Sequence, residues 1–202
     1  MSTPYKKVYG VDIRGEMSRK LTRTAEKPRR RLYEVALDQH GYVTTADAAA
    51  LGIPDTTLYR LFTSGGLTQV SRGLYRFDDM PGTVNDEFAE AVLRVGPGAY
   101  LARESVLAMH SLGLVNPRFV RVGTPRRSRR QLPPTVKAEW RTLPAKDLTV
   151  YDGIPSATAH RALLDCAHII MSDRFAVAVE NARDEGLLTA REVDDIWSTV
   201  KR

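Results

Sequence analysis

Residues 52–77, GIPDTTLYRLFTSGGLTQVSRGLYRF, restrict the fold more than any other stretch, because they set a helix, a break and a hairpin in immediate succession. Pro54 is favoured in a first helical turn and Asp55 suits the positive end of a helix. Leu58, Leu61 and Phe62 form an i, i+3, i+4 apolar stripe behind them. Gly65 and Gly66 close the helix. LTQV and LYRF then read as two β-runs joined by Ser71, Arg72 and Gly73, a three-residue hairpin with glycine at its end.

The preceding residues complete the set. Leu32, Val35, Ala36 and Leu37, flanked by Tyr33, make a helical stripe that stops at Gly41; Thr45 is expected to cap a second short helix, ADAAAL, ended by Gly52. Helix, helix, helix, hairpin is the order of a winged helix-turn-helix. In that arrangement two helices joined by a tight turn fix the angle at which the third enters a major groove, and the hairpin arginines reach flanking phosphates. Thr56, Thr57, Tyr59 and Arg60 are the groove-facing candidates, and Arg72 and Arg76 lie on the wing. Arg60 is the best base reader, since its planar fork matches guanine. Thr56 and Thr57 suit equally well the free N–H groups of a first turn, and Tyr59 suits packing.

Charge sharpens this reading and complicates it. Residues 32–77 carry three basic and four acidic side chains, so this winged segment is nearly neutral. The net charge of +6 comes from elsewhere: residues 1–31 hold ten Lys or Arg against three Asp or Glu, and residues 118–141 hold eight against one. Two basic blocks point to a polyanionic partner, whereas residues 173–195, with seven acidic and three basic side chains, would repel it. Within the second block, TPRRSRR falls between two strand patterns and reads as a loop, with Arg126, Arg127, Arg129 and Arg130 as candidate backbone contacts.

Residues 1–28 lack periodicity and are expected to form a flexible basic arm. Residues 29–80 then form the winged domain and residues 81–202 a second domain, with Pro81 and Gly82 at the boundary. That second part is mixed α/β. Helical stripes cover residues 85–95 and 103–112, strand patterns cover 119–122, 136–143 and 148–151, and Ser156 is expected to cap an apolar helix reaching about residue 170. Two more helices follow, near 173–184 and 189–200. A chain of 202 residues, 43% hydrophobic, can bury two small cores of this kind.

DQHGYVTTADAAALGIPDTTLYRLFTSGGLTQVSRGLYRF, then GAYLARESVLAMHSLGL and DGIPSATAHRALLDCA, resemble the AbiEi-type antitoxins of type IV, abortive-infection toxin–antitoxin systems used in phage defence. The wing motif of that family appears as Ser71-Arg72-Gly73-Leu74-Tyr75-Arg76. The resemblance covers most of residues 29–170. It implies an α+β protein in which a winged helix-turn-helix precedes a mixed α/β antitoxin domain, a repressor that binds repeats in its own promoter DNA, and a partner toxin that is a nucleotidyltransferase.

Other classes find little support in the residues. No GxxxxGK[ST], GxGxxG, HExxH or paired cysteines occur, so no cofactor and no metal are expected. His160, Asp165 and His168 lack the spacing of a metal site, and a satisfied or exposed histidine is the expected role. Cys166 sits in ALLDCAHII as a small buried hydrophobe. No apolar run is long enough to span a membrane and the basic N-terminal residues lack the apolar stretch of a secretory signal, so a cytoplasmic location is expected. Two alternatives stay open: an antitoxin that modifies its toxin by phosphoryl transfer, and a plain winged-helix regulator.

Overall fold

The computed structural model describes residues 27–127 and 130–200. The chain divides into two compact units, residues 1–97 and 98–202. Residues 1–26, most of the expected basic arm, and Arg129 lie outside the described residues.

The first unit is a winged helix-turn-helix. Helix α1 spans Pro28–Leu37, with proline in its first turn, and buries Leu32 and Ala36. Strand β1, Tyr42–Thr44, follows a turn and leads directly into α2, Thr45–Ala50. Thr44, not Thr45, caps this helix: its Oγ1 accepts from the Asp47 amide at 3.1 Å while Asp47 Oδ2 accepts from the Thr44 amide at 2.8 Å. Asp47 at the third helical position completes the reciprocal box one residue earlier than expected. Helix α3, Asp55–Thr63, buries Leu58, with Leu61 and Phe62 packed on the same core. Strands β2, Leu67–Ser71, and β3, Leu74–Phe77, make the wing, and β1 pairs with β3 to give the antiparallel order β1-β3-β2. A register shift between Gln69 and Ser71 lets β2 extend through Ser71, so the connection narrows to Arg72 and Gly73. Gly73 adopts φ +76°, and a Cβ there would press to 3.0 Å from Thr45 Oγ1.

Helix α4, Asp86–Val95, belongs to this unit as well. Tyr42 donates its hydroxyl to Glu90 at 2.9 Å, Arg94 donates to the Val70 carbonyl at 2.9 Å, and Arg76 reaches Asp86 at 3.1 Å. These ties hold α4 on the winged sheet, so the compact unit runs to Pro97, past the boundary expected at Pro81 and Gly82.

The second unit is built on a mixed five-stranded sheet of order β6-β5-β4-β8-β7. Its strands are β4 (Tyr100–Leu101), β5 (Val120–Thr124), β6 (Val136–Trp140), β7 (Leu148–Tyr151) and β8 (Ile154–Ala157). Ser156 therefore lies in β8 and is fully buried; the helix cap falls to Thr158, whose side chain accepts from the Arg161 amide. All four β8 residues are buried, and an inner strand fits that environment better than a helix start. Helices α5 (Glu104–Met109), α6 (Ala159–Cys166), α7 (Ser172–Asp184) and α8 (Ala190–Val200) complete the unit. Leu101, Leu107, Leu112, Ile154, Leu163, Phe175 and Ile196 form much of its interior. Cys166 is buried, and burial pushes its thiol up to about 12.

Beside this core sit charged residues that neutralise one another. Asp165 accepts from Arg161 at 3.0 Å and from Arg141 at 2.6 Å. Burial alone would raise the Asp165 carboxyl, but the two guanidiniums outweigh it and hold it below the ordinary value. Arg121 donates to Glu104, and to Glu139 at 3.0 Å, while Arg103 lies 2.9 Å from the other Glu139 oxygen. His160 pairs with Asp195 at 2.8 Å, which joins α6 to α8. Among the described residues no three His, Cys, Asp or Glu side chains converge to hold a metal, and no helix is long and apolar enough to cross a membrane.

Candidate nucleic-acid interface

Helix α3 owes its two faces to its sequence period. Leu58, Leu61 and Phe62 turn inward, which leaves Thr56, Tyr59, Arg60 and Thr63 exposed at i, i+3, i+4 and i+7 on the opposite side. Tyr59 is 60% exposed, so the packing role open to it from sequence is not the one it fills. Its ring leans on Phe62 with centroids 6.2 Å apart. Arg60 donates to Thr57 Oγ1 at 3.3 Å, which steadies the guanidinium along the helix and gives half-buried Thr57 an orienting role. Thr63, which sequence reasoning passed over, donates its hydroxyl to the Tyr59 and Arg60 carbonyls. Its place at i+7 on the stripe was the signal available.

The two wing arginines differ. Arg72 is exposed at the hairpin tip and forms no ion pair among the described residues. Arg76 lies on the central strand, with its side chain 23% exposed, bound to Asp86 at 3.1 Å and to the Pro81 carbonyl at 3.3 Å and set over the Tyr42 ring. Burial would raise the Asp86 carboxyl, yet hydrogen bonds from Thr83 and the Arg76 charge hold it below its ordinary value. Arg76 is therefore committed inside the unit. Arg72→Ala is expected to lower the salt slope of DNA binding by about one unit with an unchanged Tm. Arg76→Ala is expected to cost about 1–3 kcal/mol of stability, because the Asp86 carboxylate keeps its bonds from Thr83 but loses its cation. Melting curves and salt titrations of the two variants, side by side, check both expectations.

The arginine loop joins two parallel strands, β5 and β6, and residues 125–135 must carry the chain back along the sheet edge. Arg126 and Arg127 are exposed at its start, and Arg130 is exposed farther on. Parallel register sets Thr124 beside Trp140 at the far ends of the two strands. That register brings Trp140 under the loop: its Nε1 donates to the Pro125 carbonyl at 3.1 Å, and the Arg127 guanidinium lies 4.8 Å from its ring centroid. Trp140 was not singled out from sequence, because only the strand pairing places it there.

Residues 30–77 match the family of transcriptional regulators described as AbiEi antitoxin. Among solved structures the chain is similar to the RV2827C protein from Mycobacterium tuberculosis, with 18% identity over 88% of this chain and 73% of that one and a TM-score of 0.39. No curated protein matches the sequence.

Proposed function

We propose that this chain, whose residues 30–77 form an AbiEi antitoxin-type regulator domain, represses its own operon by binding promoter DNA and counters a nucleotidyltransferase toxin made from that operon in the cytoplasm. The observation that carries the DNA reading is the exposed α3 stripe of Thr56, Tyr59, Arg60 and Thr63. Thr56, Arg60 and Thr63 add nothing to the unit's own core and Tyr59 touches it only through Phe62, and a helix of this length presented by a helix-turn-helix fits a major groove. Arg60 reads a base, Thr56 and Tyr59 flank it, and Arg72 holds a phosphate from the wing tip. A nearly neutral winged segment needs further charge to hold a duplex, and the basic residues 1–31 supply it, while Arg126, Arg127, Arg129 and Arg130 offer phosphate contacts of their own. Control of the toxin falls to the second unit.

Repeats upstream of the operon, with random duplex as the control, provide the test. Arg60→Ala is expected to cost about 1–3 kcal/mol on the repeats and much less on random duplex. Equal losses on both would remove Arg60 as a base reader. No preference of the unaltered protein for the repeats would sink the repressor reading.

A further inference from the structure

We propose that Trp140, with Arg127 stacked on it, is a platform for an unpaired nucleobase, so that the second unit binds single-stranded nucleic acid. This deepens the reading of Arg126 and Arg127 as polyanion contacts and rests on it, but not on the reading of α3.

Trp140 is 65% exposed and yet fixed in place. Its only polar atom is satisfied by the Pro125 carbonyl, and Arg127 covers part of one ring face. A large indole held this way offers bare aromatic surface that asks for no hydrogen bond of its own, the property that lets any base stack on it.

The charges around it say what kind of partner approaches. Arg126 and Arg127 are exposed, and neither forms an ion pair among the described residues. The strand arginines nearby are spent: Arg121 on Glu104 and Glu139, Arg141 on Asp165. Glu139, next to Trp140 on β6, points to the opposite face of the strand and is held there by Arg103 and Arg121. Among the described residues, then, no carboxylate neutralises Arg127 over the indole or its neighbour Arg126. Aromatic surface next to unpaired guanidiniums suits a chain that alternates flat bases with phosphates. In a duplex the base faces are hidden by stacking, so the ligand is single-stranded, DNA or RNA.

The chain has two tryptophans, and Trp197 packs edge-on against Phe175. Full-length Trp197→Phe therefore keeps an aromatic ring there and leaves Trp140 as the sole tryptophan, whose emission is excited apart from that of the tyrosines. Titrating it with a short oligothymidylate, with the matching oligouridylate and with a duplex of equal length and unrelated sequence should give saturable quenching by the single strands and little by the duplex. The two single strands tell DNA from RNA. Trp140→Ala in the otherwise unaltered protein should bind the better strand roughly 5- to 100-fold more weakly, as expected for one lost stacking contact, and Trp140→Phe should lose less. Binding to the operon repeats, measured on the same samples, should not change with Trp140→Ala. Undiminished single-strand binding by Trp140→Ala, or equal quenching by the duplex, overturns the proposal. So does quenching by polyglutamate alone, which would make the partner an acidic protein segment. Should repeat binding be absent while the single strands still quench, the repressor reading fails and this one stands.

Discussion

Gly123→Val should unfold residues 98–202 while the winged unit stays folded. Gly123 lies opposite Tyr100 in the antiparallel pairing of β4 with β5, and any Cβ at this position would overlap the Tyr100 ring. That ring has nowhere to go. It is 2% exposed, it donates its hydroxyl to the Arg141 carbonyl at 3.0 Å, and burial pushes its pKa up to about 12. Overpacking of this kind costs about 1–3 kcal/mol when neighbours yield and more when a buried aromatic must be expelled. A loss of about 5 kcal/mol would approach the whole stability of a domain this size. Gly113→Ala is the companion case: φ is +61°, and the added methyl would meet the Arg174 carbonyl and lie 2.8 Å from the Ala178 Cβ. Amide spectra and melting curves of both variants are the measurement. A Gly123→Val protein that melts like its parent would mean that the sheet can open for the side chain.

The second large effect is a separation of the two proposed activities. Full-length protein carrying both Tyr59→Ala and Arg60→Ala should bind the operon repeats about a hundredfold more weakly, since two groove contacts of about 1–3 kcal/mol each are lost. The same protein should still rescue cells that make the toxin. Arg60 does not support the core and Tyr59 touches it only at the Phe62 ring, so its Tm should move little. Gly123→Val should do the opposite, keeping the repeats bound and failing to rescue. Rescue by Gly123→Val, with loss of rescue in the double variant, would assign toxin control to the winged unit instead.

Most of the winged unit was legible because its signals are local. The α3 stripe, the glycine pair after it and the hairpin each follow from residues a few positions apart; the structure places the stripe and the glycines where the pattern does, and shortens the expected Ser71-Arg72-Gly73 connection by taking Ser71 into β2. Its cap slipped by one residue because Thr44 and Thr45 are both competent, and only the reach of Asp47 decides between them. What stayed hidden depends on pairing between distant segments. β1 is three residues long and β4 only two, too short for a period to register. Ser156 reads as a cap from its neighbours, but it is an inner-strand residue because β4 and β7 flank it. The candidate site divides in the same way. Arg60 and Tyr59 follow from helical spacing, whereas the commitment of Arg76 to Asp86 and the meeting of Arg127 with Trp140 are contacts across ten and thirteen residues that no periodicity announces.

Helix α4 bears on where this chain can be cut. The family match ends at residue 77, yet Asp86, Glu90 and Arg94 engage Arg76, Tyr42 and the Val70 carbonyl. A transplant stopping at residue 77 strips those partners from all three strands of the sheet and exposes a guanidinium and a phenol that are partly covered in the intact unit. The portable winged cassette, for fusion to another effector, is therefore residues 27–97, with α4 travelling as the splint that holds the three strands together.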